Sequence, residues 1–403
     1  MGQHEVLVTG MGALTPLGAS AGEAWEGLLA GRSGIRALGG TWPEDLPVRI
    51  AGEVTVDPAE PLGRAHARKL DRTEQLAVLA AREAWQDAGA PEVDPDRLAV
   101  VVGTGIGGVL SALGQDDVFE TSGLRRLSPF AVPMLMPNGP AAWVSMDLQA
   151  RAGARAPVSA CASGAESIAL GLDLIRAGRA DVVVAGGTEA CVHPFMVAAF
   201  AQMKALSVQT GDPAAVSRPF DVDRNGFVIA EGAALVVLER ADHARARRAR
   251  VYGKVAGAAV NSSADHISAS DARGQVLAMR SALRDAGLAA SDIGLVHAHA
   301  TSTPGGDVAE AEAVNEVLGD GVPVTATKSM TGHMLGASGA FGAMAALLAL
   351  HHGVAPAVRN LATLDPKVEL DVVRGANREG RFDAALANSF GFGGHNVSLI
   401  LTA

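Results

Sequence analysis

The chain repeats itself. Ala81-Arg82-Glu83-Ala84-Trp85-Gln86-Asp87-Ala88-Gly89, a Pro/Asp loop and Leu98-Ala99-Val100-Val101-Val102-Gly103-Thr104 read as helix, loop and strand. Met279 to Gly287, a short loop and Ile293 to His297 echo that order. A strand–turn–helix around Cys161 is echoed in turn by Val322 to Ser329 and the Gly/Ala-rich helix after Gly336. Apolar strand-like runs alternating with helical runs argue for parallel sheets. Two such halves predict stacked α/β units related by a pseudo-dyad. The join falls near 240–252, after the Arg-rich run and before a new strand at Val251, giving halves 1–250 and 251–403. Residues 104–150, punctuated by Pro129, Pro133, Pro137 and Pro140, read as an insertion in the first half. Ligands of open α/β sheets sit at strand carboxyl ends. A dyad therefore brings loops of both halves to one site.

The bulk properties narrow the function. The net charge of −10 argues against a nucleic-acid partner. Cys161 and Cys191 are the only cysteines, so a disulfide framework is not expected and a reducing compartment is. The N-terminus enters the strand Glu5 to Thr9 without a basic region and apolar core, so no signal peptide is expected. The longest apolar stretch, Gly339 to Leu350, is too short and too Gly/Ala-rich to span a bilayer. The expectation is a soluble cytoplasmic protein with no membrane partner.

Chemistry concentrates at four places. Cys161 lies in Pro157-Val158-Ser159-Ala160-Cys161-Ala162-Ser163-Gly164-Ala165-Glu166. Val158 to Ala160 read as the end of a short buried strand. From Ala162 a helix is predicted, with apolar Ala165, Ile168, Leu172 and Ile175 on one face and a stop at Gly178. A thiol at the positive end of a helix has its thiolate stabilised, and the thiolate is the nucleophile. The plain alternative is a buried, inert cysteine. The other three segments are His297 to Asp307, Thr327 to His333 and Asn388 to Asn396. His299 and His333 each sit in a Gly/Ser/Thr loop just after a strand, unlike His4, His66 and His243, which read as surface or satisfied residues.

Cys161-Ala162-Ser163-Gly164-Ala165, His299-Ala300-Thr301-Ser302-Thr303-Pro304, Thr327-Lys328-Ser329-Met330-Thr331-Gly332-His333 and Ser389-Phe390-Gly391-Phe392-Gly393-Gly394 occur in this order. On these motifs the chain resembles the elongating type II β-ketoacyl-acyl-carrier-protein synthases of the thiolase superfamily, from Val6 to Ile400. The resemblance implies a duplicated thiolase-like α/β fold of five layers (α-β-α-β-α) with two mixed sheets. It implies a decarboxylative Claisen condensation. Cys161 would take the acyl chain as a thioester, with the backbone N–H groups of Cys161 and Phe392 as oxyanion hole. His299 and His333 would bind the malonyl thioester carbonyl and stabilise the enolate as CO2 leaves. Neutral imidazoles donating hydrogen bonds suffice for that task.

The resemblance further makes Lys328 a buried structural cation held by Asp307 and Glu310, since a buried lysine must be paired. It makes Thr301 and Thr303 partners of the phosphopantetheine arm. Ile106 and Phe200 would line the acyl pocket, with Phe392 also its gate and Phe390 in support. No metal and no cofactor are implied, because the substrates ride on the phosphopantetheine of acyl carrier protein. That carrier is acidic in the family, so a net-acidic enzyme needs a local basic patch. Arg68, Lys69, Arg125, Arg126 and Lys204 are the candidates, the alternative being scattered solvated charges. The run Arg245 to Arg250 reads as a solvated helix face.

Two positions depart from the family pattern: Gly342 stands where Glu is usual, and His297 where Asn is usual. They suggest a specialised enzyme. The leading expectation is the ketosynthase subunit of a type II polyketide or polyene pathway, dimerised with a chain-length-factor paralogue that lacks the cysteine. The alternative is a homodimeric β-ketoacyl synthase II of fatty-acid elongation. A non-catalytic partner subunit is disfavoured by Cys161, His299 and His333. A thiolase proper is disfavoured because the last Gly-rich loop holds no second cysteine. Gly342→Glu is expected to be tolerated near Lys328.

Overall fold

The computed structural model describes residues 4–40 and 42–403. In the first half the main elements are β1 (Val6–Leu14), α1 (Arg72–Asp87), β2 (Leu98–Gly103), α2 (Val109–Ser122), α3 (Gly139–Leu148), β3 (Gly153–Arg155), α4 (Ser163–Arg176), β4 (Val182–Glu189), α5 (Pro194–Gln202) and β5 (Gly232–Arg240). In the second they are β6 (Gly253–Ser262), α6 (Ala272–Ala286), β7 (Leu295–His297), α7 (Pro304–Leu318), β8 (Pro323–Thr325), α8 (Ser338–His352), β9 (Asp371–Val372), β10 (Ala384–Gly391) and β11 (His395–Thr402).

The strands pair in the order β1-β5-β4-β2-β3 in one half and β6-β11-β10-β7-β8 in the other, with β9 added at the far edge. The directions repeat as well. The first two pairings of each half are antiparallel and the next two parallel. Where two separate sheets are expected, the hydrogen-bond ladder in fact runs through. β1 and β6 pair antiparallel at Leu7–Lys254 and Val8–Gly253, making one 11-stranded sheet. So short a junction leaves each half its own face and its own core.

Those faces make five layers. α1 and α3 cover one outer face, and α6 and α7 the other. Between the half-sheets lie α4 and α8, each touching strands of both halves. α8 is buried from Ser338 to Leu350 and apolar all round, as a helix packed from every side must be. The stretch Leu335–His352 is long and apolar enough to cross a membrane, but 83% of it is buried in this middle layer. The halves meet so closely that side chains are excluded. A Cβ at Gly187 would lie 2.2 Å from the Gly336 oxygen, and one at Gly164 2.7 Å from it.

Local expectations around Cys161 need one correction. The strand ends at Arg155, not at Ala160. Pro157 has no N–H to continue a ladder, and Val158 is half exposed. The helix runs as expected, from Ser163 to Arg176, and Gly178 follows with φ +67° in the left-handed region.

Candidate active site

Cys161 lies on a tight 3-10 turn, Ala160–Ala162, wedged between β3 and α4. Ala160 takes φ +51°, an unusual angle for a residue with a Cβ, and the turn is pinned from several sides. Ser163 Oγ accepts from the Ser159 N–H at 3.0 Å and donates to the Ala160 carbonyl at 2.7 Å. Ser389 Oγ, from β10 in the other half, donates to the Cys161 carbonyl at 2.9 Å. Gly391 must be glycine here, because a Cβ would lie 2.3 Å from the Ser159 oxygen. That approach aims the Phe392 N–H at the Cys161 sulfur, beside the N–H of Cys161 itself.

Burial outweighs the stabilisation of the thiolate expected from the helix end. Burial pushes the Cys161 thiol up to about 12, against the opposing pull of Lys328 and the two N–H groups. The carboxylate of Glu189 pushes the same way as burial. The resting residue is therefore a thiol. The paired N–H donors act most strongly when negative charge develops in front of them.

His299 leaves the end of β7, and His333 follows the turn that starts at Lys328. Both rings are buried. Burial, reinforced by the Lys328 charge, holds both imidazoles well below their ordinary value, so both are neutral. Lys328 Nζ donates to the His299 carbonyl and approaches His299 Nδ1 at 3.4 Å. An ammonium can only donate. Nδ1 is thus the acceptor, and the ring proton of His299 sits on Nε2. His333 Nδ1 lies 2.9 Å from Ser338 Oγ, leaving its buried Nε2 without a partner among the described residues. One ligand atom from each of Cys161, His299 and His333 falls within a 4.8 Å span.

The two acids do not clamp the lysine as the resemblance implies. Glu310 accepts from the N–H groups of His299 at 2.8 Å and Ala300 at 2.7 Å, and from Asn388 Nδ2 at 3.2 Å. Asp307 accepts from the N–H groups of Phe220 at 2.9 Å and Ser302 at 3.0 Å, and faces Arg224 at 3.4 Å. Among the described residues, no carboxylate lies within 4.0 Å of the Lys328 ammonium. Glu310 still favours the charged lysine through space, against the burial that lowers it. Its direct work is to shape the loop carrying His299.

A cavity of about 440 Å³ opens onto these groups. Thr301 and Thr303 line it, with their hydroxyls 3.0 Å apart, and so do Phe390, Phe392 and Lys204. Ile106 and Phe200 are not on its wall. They belong to an apolar cluster behind Cys161, with Met196, Val197, Leu206 and Phe227. Arg68, Lys69, Arg125 and Arg126 are exposed and away from the cavity lining. Lys69 stands over the Phe130 ring at 5.5 Å.

Several contributors escape sequence reasoning. Phe227 links Phe200 to His333 by edge-on contacts of 5.4 and 5.3 Å, and the series continues through His299 to Phe390. Ser263, Ser268, Ser270, Asp271 and Gln275 form the polar wall of the cavity. The serine-rich run after β6 was the available signal for them. Arg224 is buried and donates to the carbonyls of Thr303 and Pro304, bracing the threonine loop. Glu189, at the end of β4, accepts from Thr104 Oγ1 at 2.8 Å, Gly105 N–H at 2.7 Å and Gly336 N–H at 3.1 Å. It ties the loop before Ile106 to the turn before α8.

Comparison with known proteins agrees with this geometry. Residues 3–244 match the model of the beta-ketoacyl synthase N-terminal domain, and residues 252–362 that of the C-terminal domain. A 3-oxoacyl-[acyl-carrier-protein] synthase 2 of Mycobacterium tuberculosis is 43% identical over 400 residues, covering 98% of this chain and 96% of the relative. The synthase 2 of Synechocystis is 40% identical over 405 residues, covering 98% and 97%. Among solved structures, a beta-ketoacyl synthase from Burkholderia phymatum superposes with TM-score 0.92 at 34% identity over 99% of both chains. The ishigamide ketosynthase/chain length factor superposes with TM-score 0.91 at 33% identity over the full length of both. A type II PKS ketosynthase, solved in complex with its acyl-carrier protein, gives 0.91 at 28% over the full length of both. With both domain models in sequence and relatives alike over nearly all its length, this chain belongs to the β-ketoacyl synthase family.

Proposed function

We propose that this chain elongates acyl chains on acyl carrier protein by decarboxylative condensation with malonyl-carrier protein, as a homodimeric synthase of the fatty-acid type. One observation carries the chemistry. A sulfur, two neutral imidazoles and two backbone N–H donors, drawn from both halves, converge on one cavity. In the first half-reaction the Cys161 sulfur attacks the acyl thioester, and its proton leaves with the departing phosphopantetheine thiol. In the second, the malonyl thioester oxygen accepts from Nε2–H of His299 and of His333. CO2 departs, and the enolate carbon attacks the acyl carbon on Cys161. The oxyanion then forms before the N–H groups of Cys161 and Phe392, and its collapse expels the sulfur as a thiolate, which takes one proton from solvent and returns to the resting thiol. Apart from that proton, the steps use groups of the chain and the two substrates. Cys161 serves both substrates in turn, which predicts ping-pong kinetics.

Thr301 and Thr303 stand where the phosphopantetheine arm would pass, and Lys204 at the same wall offers a cation to an acidic carrier. The apolar cluster holding Ile106 and Phe200 would take the acyl chain, with Phe392, on the cavity wall, as its gate. The synthase 2 relatives, at 40 and 43% identity, favour the fatty-acid alternative over the polyketide expectation. The polyketide reading, with a chain-length-factor partner, keeps support from the ketosynthase/chain length factor neighbour and from Gly342 and His297.

A dimer is supported by surface the monomer leaves open. β3 is an edge strand with one side unpaired. α2 buries none of its residues and leaves its own Phe119 exposed, and Leu124 and Val132 are exposed in the segment that follows. Native mass spectrometry with an elongation assay separates the readings. The chain alone is expected to be a homodimer that elongates saturated acyl carriers. Activity only in a one-to-one pair with a ketosynthase-like paralogue would contradict the fatty-acid assignment and establish the polyketide one.

A further inference from the structure

His297 and Gly342 touch. His297 is buried at the end of β7, two residues before His299. Its Nε2 lies 3.2 Å from Oγ1 of Thr327, the residue just before Lys328. Its ring lies on α8 at Gly342, where a Cβ would come within 2.8 Å of both Cε1 and Nδ1. Side chains do not approach so closely, so nothing larger than glycine fits at 342 while the ring is in place. The expectation that Gly342→Glu is tolerated is therefore wrong. Nδ1 has no hydrogen-bond partner among the described residues. The ring is held by one bond to Thr327 and by its seat on the glycine.

This contact reaches the site. The strand end that carries His297 also carries His299, and the turn that Thr327 opens also carries Lys328. Lys328 in turn donates to the His299 carbonyl. We propose that His297 and Gly342 act as one positioning device, which fixes Lys328 against His299 and places a neutral ring, not a charge, beside the lysine. It rests on the reading of His299 as a donor to the enolate, with Lys328 holding it in place. The ring is neutral because burial and the Lys328 charge push it down to about 3. The titratable groups felt by Lys328 are then Glu310 and Asp307 of α7, Cys161, His299, His333 and His297.

Two measurements test the device. The first is a thermal double-mutant cycle on the full chain. Gly342→Ala is expected to lower Tm in the wild type and to raise it, or leave it unchanged, in a His297→Ala background. An equal loss in both backgrounds would overturn the pairing. The second follows malonyl-carrier decarboxylation against pH in His297→Asp, which needs no room at 342. A carboxylate at this place favours the protonated lysine, so the alkaline limb is expected to move up by about one pH unit. An unmoved limb in the folded variant would overturn the electrostatic role. His297→Ala alone is expected to slow decarboxylation while leaving acylation of Cys161 intact; equal slowing of both would overturn the positioning role. If the wild type fails to decarboxylate malonyl carrier, the functional reading falls, while the thermal cycle still decides the pairing.

Discussion

Cys161→Ala is expected to lose condensation by about 10⁴-fold or more while keeping the fold. The size of the effect follows from the role. Without the sulfur there is no acyl-enzyme, and the malonyl carbanion has nothing to attack. The structural cost is small, because the turn is held by other groups. Ser163 still pins Ala160, and Ser389 still bonds the carbonyl at position 161. Removing one buried sulfur costs about 1 kcal/mol. Circular dichroism and native mass would match the wild type. Decarboxylation of malonyl carrier is expected to persist in this variant, since His299 and His333 are untouched. Full elongation by Cys161→Ala would remove the nucleophile from the mechanism.

His299→Ala and His333→Ala form the second large effect. Each removes one donor to the developing enolate, and each is expected to slow decarboxylation by about 10²- to 10³-fold. Acylation of Cys161 should fall far less, because its oxyanion is met by the N–H groups of Cys161 and Phe392. The reverse pattern, acylation lost and decarboxylation kept, would contradict the division of roles. The pH profile adds a second check. Burial and the Lys328 cation hold both imidazoles far below the ordinary histidine value of 6.5, so decarboxylation should show no acid limb there. Lys328 is lowered by burial from its ordinary 10.5. As pH rises through that lowered value, the ammonium donor to His299 is lost, and activity falls. An acid limb at 6.5 would mean that one of the rings titrates during the cycle.

Much of this site could be read from the chain, and the reasons are local. The helix after Cys161 announces itself by the spacing of Ala165, Ile168, Leu172 and Ile175 and by Gly178 at its end. The duplication shows because α1 with β2 and α6 with β7 echo each other in sequence and hold matching places in the order of elements and strands. What could not be read depends on contacts between distant segments. Lys328 donates to a backbone carbonyl, and a carbonyl leaves no mark on sequence. The resemblance, with the rule that a buried lysine is paired, puts Asp307 and Glu310 on the lysine, whereas both accept from backbone N–H groups. Phe227 looks like any core aromatic until it is found edge-on to His333. At Cys161 two physical effects oppose each other. The helix terminus favours a thiolate, but burial is the larger effect and keeps the proton on. The departures at Gly342 and His297 were visible singly. Their contact across two elements was not, and it turns two anomalies into one.

The central claim is that Cys161 carries the growing chain and surrenders it only to a decarboxylated malonyl unit. Intact-protein mass spectrometry of the wild type tests it most directly. After exposure to acyl carrier, the chain is expected to gain the mass of one acyl group, mapped to the peptide containing Cys161. Adding malonyl carrier should return the protein to its free mass as CO2 and β-ketoacyl carrier appear in equal amounts. An acyl group mapped elsewhere, or one that malonyl carrier fails to discharge, would contradict the account.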